Sequence, residues 1–396
     1  MDSPRPGIAR LCLAVLLGGA ALATAALAQA PAAPQTSAPA PSSAPARPTL
    51  EEVRRDMASP SREDTRGRID SLGYAVRAEQ MAKVWEVSAG TAGLDSFAPA
   101  PPPGVAAVIC PHDDFSFAGR VYRRVMPLVT AKTVVLIGVF HGYRKFGEHD
   151  RLVFDSYRAW TAPDGEVPVS SLRESLLARL PHAEWVQDTA AHDAEHSLEP
   201  LVCWLRHRNA DVEIVPIIVP GASFERLREI AQDLAAALSA EMQARGWALG
   251  RDLAIAISTD GVHYGPDFNQ TLFGEGGVDA YEKATAKDRE LMLSLGGPLT
   301  VPGIRALFET FVDPQHPDTY RWTWCGRLAI PLGLLTLENL TRENGGAIGH
   351  PLVYATSISG PELPLREAGM QPTSPANLYH FVGYPSAAFT RAQARE

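Results

Sequence analysis

Four short apolar runs constrain the fold of this chain more than any other feature of its sequence. Each is rich in Val and Ile and lacks regular polar alternation, which is typical of strands buried on both faces of a sheet. The runs are Val105–Cys110, Thr133–Val139, Glu213–Val219 and Leu253–Ser258. Segments with helical spacing accompany them at residues 118–129, 169–180 and 194–208 and at Phe224–Arg245. The alternation predicts an α/β fold with a central mixed or mostly parallel sheet flanked by helices.

The rest of the chain extends this pattern without an internal repeat. Residues 71–103 show no clear periodicity, and more helices are predicted at residues 279–295, 302–311 and 330–343, before a final strand at about 352–359. We expect residues 50–396 to form a single α/β domain. Ligands of open α/β sheets bind beyond the carboxyl ends of the strands, so the functional residues are expected there.

The N-terminus has the organisation of a secretory signal peptide. Arg5 and Arg10 precede a run of apolar and small residues, which ends in a sequence suited to cleavage after Ala28 or, as an alternative, after Ala30. Small residues dilute this run, which argues against a retained membrane anchor. Residues 29–49 are rich in Ala and Pro and are predicted to be a disordered linker. We therefore expect a periplasmic or secreted protein with no membrane span once residues 1–28 are removed.

The net charge of the chain argues against a nucleic-acid partner. Residues 1–28 carry a net charge of +1, so their removal changes the formal net charge from −9 to −10, and so acidic a chain repels nucleic acid.

The cysteines that remain after cleavage are Cys110, Cys203 and Cys325. With an odd count, at least one thiol is unpaired and needs burial or a ligand role in an oxidising compartment. We predict that Cys110 and Cys203 are buried and inert.

Three of the four strands run directly into loops that carry a histidine. His112 follows the first run, His141 follows the second, and His263 lies in the loop after the fourth. Because imidazoles at the ends of neighbouring strands reach the same crevice, and because neutral imidazole is a common transition-metal ligand, the three point to a metal. We predict that they converge with Cys325 on one metal-binding pocket.

Carboxylates and a phenol accompany these histidines. Asp113 and Asp114 follow the first histidine directly, Asp260 precedes His263 by three residues, and Tyr264 follows it. A carboxylate that accepts a hydrogen bond from an imidazole N–H fixes the tautomer of the ring. We expect Asp260 to orient His263, and Asp113, Asp114 and Tyr264 to line the pocket.

His196 and Cys325 each have two interpretations. His196 follows Glu195 at the start of a predicted helix, where acidic residues complement the helix dipole; the alternative is that both residues line the pocket mouth as a proton relay or substrate-orienting pair. Cys325 immediately precedes another predicted helix, where a thiolate is stabilised and its pKa is lowered; the alternative is an inert thiol between two tryptophans. The other seven histidines, His380 among them, are expected to be structural or exposed.

Six short motifs follow one another in a specific order between residues 105 and 359. They are Pro-His at 111–112, Gly-x-x-His at 138–141, Glu-His-Ser-x-Glu at 195–199, Val-Pro-Ile-x-Val at 215–219, Ser-x-Asp-x-x-His-x-Gly at 258–265 and Cys-Gly at 325–326. Together they resemble the Memo family, known in prokaryotes as AmmeMemoRadiSam system protein B. The resemblance implies a fold similar to that of the class III extradiol dioxygenases. It also implies that His112, His141 and Cys325 contact the metal, iron or copper first and zinc as an alternative, with His263 as the acid/base histidine.

The chain departs from the family pattern in two places. The usual Ala-Gly-Tyr after the first motif is Asp-Asp-Phe at 113–115, and the usual Gly-Pro-x-His at 138–141 lacks its proline. The added carboxylates have three open interpretations: they bind a second cation, pair with Arg120 or Arg144, or repel anionic substrates. A thiolate in place of the dioxygenase carboxylate favours softer metals such as Cu(I) or Zn, which argues against ring cleavage by Fe(II) and dioxygen.

Three functions are compatible with these residues. The first is a metal-dependent oxidoreductase or hydrolase of small molecules, with His263, Asp260 and His196 in proton transfer. The second is a non-catalytic periplasmic protein that binds a metal or ligand. The third is a peptide-binding module on a vestigial dioxygenase fold, with an apolar groove supplied by Trp160, Trp185, Trp322 and Trp324. The chain lacks the turns of serine esterases, nucleotide kinases and dinucleotide oxidoreductases.

Overall fold

The structure, a computed structural model, describes residues 47–392. The predicted signal peptide and most of the predicted linker lie outside the described residues. The helices are α1 (Leu50–Asp56), α2 (Ala78–Val87), α3 (Phe115–Val125), α4 (Tyr143–Phe146), α5 (Leu172–Arg179), α6 (Thr189–Asp193), α7 (Glu199–Arg208), α8 (Phe224–Arg245), α9 (Val278–Ser294), α10 (Val301–Phe311) and α11 (Ala329–Thr341). Among the described residues, no helix combines the length and the apolar character that crossing a bilayer requires.

The strands range from two to eleven residues. They are β1 (Thr65–Arg66), β2 (Asp95–Ser96), β3 (Val105–Cys110), β4 (Thr133–Val139), β5 (Leu152–Phe154), β6 (Ala159–Ala162), β7 (Gly165–Pro168), β8 (Trp185–Gln187), β9 (Glu213–Val219), β10 (Leu253–Ser258), β11 (His263–Tyr264), β12 (Gly297–Pro298), β13 (Val312–Asp313), β14 (His316–Tyr320), β15 (Ala347–Thr356) and β16 (Phe381–Arg391).

One large mixed sheet organises the fold. Its strand order is β12-β15-β16-β3-β10-β4-β9-β5-β8, with β11 and β2 paired to β16 and β15. At its centre β3, β10, β4 and β9 run parallel to one another, whereas β16 and β5 flank them in the antiparallel sense. The four predicted strands are these four parallel ones, with the predicted bounds. The predicted α/β architecture with a central mixed sheet is therefore confirmed.

Both faces of the central strands are buried, which explains their continuous apolar character. Along β10, Ile255 and Ile257 belong to one hydrophobic cluster, together with residues of α8 and α11, and Ala254 and Ala256 belong to a second one, with residues of α3 and α7. Side chains alternate between the faces of a strand, so a run apolar at every position is needed to fill both clusters. The parallel strands thus end at one edge, where the loops with His112, His141 and His263 begin.

The C-terminal strand differs from the prediction. The strand expected at residues 352–359 is the second half of β15, and β16 follows it, between β15 and β3. Gly383, Pro385 and Ser386 interrupt the apolar pattern of β16, so its sequence does not resemble a central strand. Pro385 is accommodated opposite Tyr354, next to an irregularity in the pairing of β15 with β16.

Helix boundaries shift where proline or a polar turn intervenes. The helix predicted at 194–208 is shorter than expected: it is α7, which begins at Glu199 with Pro200 in its first turn, and the preceding helix α6 ends at Asp193. The helix predicted at 118–129 is α3 followed by a 3₁₀ turn at Met126–Leu128 that contains Pro127. The first change matters for function, because it leaves residues 194–198 in a turn that faces the ends of the parallel strands.

Candidate metal centre

Two histidines and a cysteine lie together at the carboxyl end of the sheet. The ligand atoms of His112, His141 and Cys325 all lie within 4.8 Å of one another. His112 Nε2 is 3.7 Å from Cys325 Sγ, and the His112 and His141 ring centroids are 5.5 Å apart. Two imidazoles and a thiol are a donor set that zinc, iron and copper use in proteins. We call these three residues the metal group.

The hydrogen bonds of His112 define its tautomer. The hydroxyl of Ser258 donates to the carbonyl of Ser197 (2.6 Å), so the same hydroxyl oxygen accepts from His112 Nδ1–H (2.7 Å). His112 Nε2 is left with a free lone pair directed at Cys325. Burial, followed by the neighbouring His196, lowers the pKa of His112 well below its usual value. The ring is therefore neutral and presents the nitrogen that a metal requires.

His141 is oriented by Glu195. Its Nδ1–H donates to Glu195 Oε1 (3.0 Å) and its backbone N–H donates to Oε2 (2.7 Å). Glu195 also accepts backbone N–H groups of His196 and Ser197. Burial alone would raise the pKa of Glu195, but the His141 ring and these donors lower it overall. An ionised carboxylate thus holds the Nδ1 proton of His141 and leaves its Nε2 free for a metal.

Glycine allows Cys325 to reach His112. Gly326 N–H donates to Thr259 Oγ1 (3.0 Å), and a Cβ atom at Gly326 would lie 2.4 Å from the Cβ of Thr259. No larger residue permits this approach between the two loops. Cys325 lies outside α11, which begins at Ala329; its expected stabilisation by a helix N-terminus is therefore wrong. Burial instead raises the pKa of the Cys325 thiol well above its usual value.

Asp260 serves the metal group rather than His263. Its backbone N–H donates to Cys325 Sγ (3.0 Å), and its Oδ1 accepts His112 N–H (3.0 Å). Its Oδ2 lies 3.2 Å from His112 Nε2. Because that nitrogen carries a lone pair, two acceptors face each other in a buried site, and a proton or a cation is needed between them. Burial, followed by the charge of Asp113, raises the pKa of Asp260 well above its usual value. Either a proton on Asp260 or a bound cation in its place satisfies both acceptors.

A pocket of about 250 Å³ adjoins the metal group. His263 lies on its wall with Nδ1 near the carbonyl oxygens of Gly261 (3.1 Å) and Thr323 (3.3 Å), so Nδ1 carries the proton and Nε2 is free. Burial lowers the pKa of His263, which keeps the ring neutral. The other polar side chains of the wall are His112, Asp113, His141, His196, Asp260, Ser357, Thr373, Ser374, His380 and Tyr384.

The remaining predicted pocket residues lie in different places. Asp113 lines the pocket, but Asp114 caps α3 and accepts backbone N–H groups of Ser116 and Thr373 (2.6 Å each). Burial raises the pKa of Asp114 to about 6. Tyr264, which was also expected to line the pocket, does not line it; its side chain is buried, and its hydroxyl donates to the carbonyl of Gly274. The proposed pairing of these carboxylates with Arg120 or Arg144 is absent among the described residues, since those arginines contact Pro361 and Asp318.

The tryptophans proposed to form a peptide groove are mostly interior. Trp160, Trp322 and Trp324 are buried, and only Trp185 is partly exposed. Trp160 Nε1–H donates to the buried carboxylate of Asp155 (2.7 Å). These side chains therefore do not provide the exposed apolar groove that the peptide-binding hypothesis required.

Asp288 holds the loop that carries the cysteine ligand, and the sequence did not single it out. It is fully buried on α9, and its Oδ1 accepts the indole N–H groups of Trp322 and Trp324 (2.7 Å each). Its Oδ2 accepts Val262 N–H (2.9 Å) and the hydroxyl of Tyr354 (2.8 Å). One carboxylate thus ties the cysteine loop, the His263 loop and β15 together.

The comparison with known proteins identifies the family. The sequence model described as "Memo-like protein" matches residues 91–359. The chain belongs to the Memo family. A MEMO1 family protein of Archaeoglobus fulgidus is 32% identical over 171 residues, 43% of this chain and 59% of the relative. A MEMO1 family protein of Thermococcus onnurineus is 29% identical over 177 residues, which cover 43% of this chain and 56% of the relative. One of Thermococcus kodakarensis is 27% identical over 262 residues, 64% of this chain and 81% of the relative.

The Memo match contains the metal group and His263, but the site extends beyond it. The hydroxyl of Tyr384, on β16, donates to Asp113 Oδ2 (2.7 Å), and Asp70, before α2, pairs with His196 Nδ1 (2.7 Å). His380, expected to be structural or exposed, lies at the pocket. Asp70, His380 and Tyr384 all lie outside residues 91–359. The segments on either side of the Memo match therefore complete the pocket.

Replacing Asp70 by Asn is expected to lower the pKa of His196 from about 10 toward its ordinary value in the metal-free protein. Burial opposes the charge on His196, but the hydrogen bond and charge of Asp70 outweigh it, followed by Glu195 and Glu199. Since the folded pKa is raised, the stability that the pair contributes is complete below pH of about 6.5 and is lost as the pH rises toward 10. NMR titration of the His196 ring measures the shift.

Asp164 provides the matched control. It pairs with His207 Nδ1 (3.0 Å) outside the pocket, so Asp164→Asn should leave the titration of His196 unchanged. A His196 that titrates identically in the parent and in Asp70→Asn would contradict the assignment.

Proposed function

We propose that this protein is a metal-dependent oxidoreductase acting on a small molecule, with His112, His141 and Cys325 as ligands of one iron or copper ion. The observation that carries the proposal is the metal group itself, which adjoins a pocket with a neutral histidine on its wall. When bound, such an ion exchanges electrons and polarises oxygen atoms. We also propose that the fold is related to that of the class III extradiol dioxygenases.

Hydrogen bonds orient the three proposed ligand residues in the metal-free protein. Ser258 and Glu195 hold the Nδ1 protons of His112 and His141, so both rings present their other nitrogen. The backbone N–H of Asp260 donates to the sulfur of Cys325, which supports a thiolate. The buried thiol of Cys325 has a raised pKa and would release its proton to solvent when a cation takes the place of that proton.

His263 is proposed as the general base. Its Nδ1–H faces two carbonyl oxygens, so a proton taken from a substrate is received at Nε2, and the cation that forms is held by the same carbonyls. His196, charged through its pair with Asp70, lies on the same wall and is proposed to bind an anionic oxygen of the substrate. Proton-transfer groups of this kind favour an enzyme over a metal carrier.

We further propose that the protein acts outside the cytoplasm, as its N-terminal sequence indicates. The cysteines Cys110, Cys203 and Cys325 are free and buried. Burial protects thiols from oxidation, so these cysteines are compatible with an oxidising compartment. Mass spectrometry of the protein from its native host is expected to show a mature chain that begins at Gln29.

Replacing His263 by Gln is expected to preserve metal content and to reduce turnover by about 10²–10⁴-fold, because only proton transfer is lost. The parent, purified anaerobically, should contain about one iron or copper per chain. Metal content is measured by elemental analysis. Turnover is measured with small organic substrates that the parent oxidises in the presence of an electron acceptor.

His316→Gln is the control, since that histidine is exposed on β14 and should affect neither quantity. A parent that binds zinc alone, or no metal after reconstitution, would overturn the proposed oxidoreductase. Stoichiometric iron or copper without turnover of any substrate would favour the metal carrier.

A further inference from the structure

A second cleft shares the metal group with the pocket already described. It has a volume of about 250 Å³ and is lined by both His141 and Cys325, whereas the first pocket is lined by His141 and not by Cys325. Most of its wall is apolar or aromatic and consists of Val139, Phe140, Tyr143, Val219, Tyr320 and Leu328. A molecule bound there would lie beside the thiol, separated from the His263 pocket.

Arg327 is the unusual residue of this cleft. Its side chain lines the cleft and is only 6% exposed, although a guanidinium is charged at every physiological pH. The guanidinium stacks 3.8 Å from the Tyr320 ring centroid, and its Nη2 donates a long hydrogen bond of 3.3 Å to the hydroxyl of Tyr143. Its buried Nε–H has no acceptor among the described residues. Arg327 is thus held in place but is not neutralised.

The two other buried arginines of the described chain, unlike Arg327, are paired with carboxylates. Arg66 pairs with Glu199 (2.6 Å) and also donates to backbone carbonyls, and Arg173 pairs with Asp155 (2.8 Å) and donates to the carbonyl of Tyr157. For Arg327, no carboxylate lies within 4.0 Å in the described chain. A buried charge without a partner is costly. Arg66 and Arg173 each have a carboxylate partner, so the unpaired Arg327 indicates that its partner is a ligand.

The nearest carboxylate of the cleft is already engaged. Asp318 accepts from the hydroxyl of Tyr143, and its backbone carbonyl and carboxylate contact Arg144. Arg144 also lines the cleft, so its wall carries two arginines and one carboxylate. The cleft therefore combines apolar walls with a net positive charge.

We propose that this cleft binds the carboxylate of a small molecule with an apolar body, with Arg327 as the counter-ion. The planar guanidinium matches a carboxylate geometrically, and the aromatic and aliphatic walls suit an apolar body. Tyr320 and Tyr143 fix the guanidinium before the ligand arrives, which reduces the entropy lost on binding. The site requires neither the metal nor the proposed reaction.

Benzoate is the probe, because it joins a carboxylate to a flat apolar ring. Calorimetric titration of the metal-free full chain should show benzoate binding, with benzamide, its neutral analogue, bound roughly tenfold more weakly or worse, because the amide lacks the negative charge and the second acceptor oxygen of the carboxylate. Arg327→Met should weaken benzoate at least tenfold. Arg321→Met, at an exposed arginine that does not line the cleft, should leave benzoate affinity unchanged.

A second measurement uses only the unmodified protein, so it tests the proposal even if the Arg327→Met variant does not fold. Nuclear Overhauser contacts between the benzoate ring protons and the methyl groups of Val219 and Leu328 should appear, because both residues line the cleft. The proposal is overturned by absence of benzoate binding, by equal binding of benzamide, by full affinity in folded Arg327→Met, or by contacts elsewhere. Binding of inorganic phosphate in preference to benzoate would overturn the carboxylate assignment.

Discussion

Replacing Asp288 by Ala is expected to lower the free energy of unfolding of the metal-free protein by about 4 kcal/mol. The carboxylate is fully buried and accepts hydrogen bonds from Trp322, Trp324, Val262 and Tyr354. Each buried donor left without an acceptor costs roughly 1–3 kcal/mol, and neighbouring effects do not add fully. Chemical denaturation measures the change, which is large against the ~5–15 kcal/mol stability of a typical domain.

The same substitution should also weaken metal binding, because Trp322 and Trp324 fix the loop that places Cys325. Asp279→Ala is the matched control on the same helix, since that carboxylate is exposed and forms a surface pair with Lys283. Surface pairs of this kind contribute about 0–1 kcal/mol. An Asp288→Ala protein as stable as the Asp279→Ala protein would contradict the structural role assigned to Asp288.

The parallel part of the sheet was predictable because strands buried on both faces need apolar residues at every position. Strands β3, β4, β9 and β10 are apolar on both faces, and their runs of Val and Ile predict buried strands even though Gly138 lies within β4 and Pro216 within β9. Strand β16 also lies in the centre of the sheet, but it gives a weaker signal because Val382 is its only Val, Ile or Leu residue. β16 pairs with β3, which is far from it in the sequence, so the local sequence of β16 does not predict this pairing.

The position of the metal group was predictable for a related reason, whereas the residues that support it were not. His112 and His141 directly follow predicted strands, so their place at the sheet edge follows from chain order. Asp70 and Tyr384 reach the site from segments far from it in sequence, and nothing in their neighbourhoods marks them. Asp260 was expected to orient His263, but residues three apart in an irregular loop need not face each other, and its carboxylate meets His112.

Ionisation was the least predictable property. A helix N-terminus suggested a lowered pKa for Cys325, but the three residues that separate it from the start of α11 remove that effect, and burial raises the pKa instead. The raised pKa has a functional consequence. Without a cation the thiol stays protonated and unreactive, so a metal is what converts it into a thiolate ligand.

Replacing Cys325 by Ala is expected to abolish stoichiometric metal binding. The variant removes the only sulfur of the metal group and leaves two imidazoles, so the loss should exceed the ~10–100-fold that removal of an outer-shell partner costs. Equilibrium dialysis against a chelator of known affinity measures it. Asp260 Oδ2 remains close to His112, so any residual binding should be weak and should lack the sulfur-to-metal charge-transfer absorption of a copper-loaded parent.

The control separates loss of a ligand from loss of a buried side chain. Cys203, on α7, is also a buried free thiol, and it does not belong to the metal group. Cys203→Ala should therefore keep the full metal content, even though both variants lose a buried sulfur and some packing. Equal metal content in the two variants would exclude the thiol as a ligand and leave His112, His141 and Asp260 as the alternative donor set.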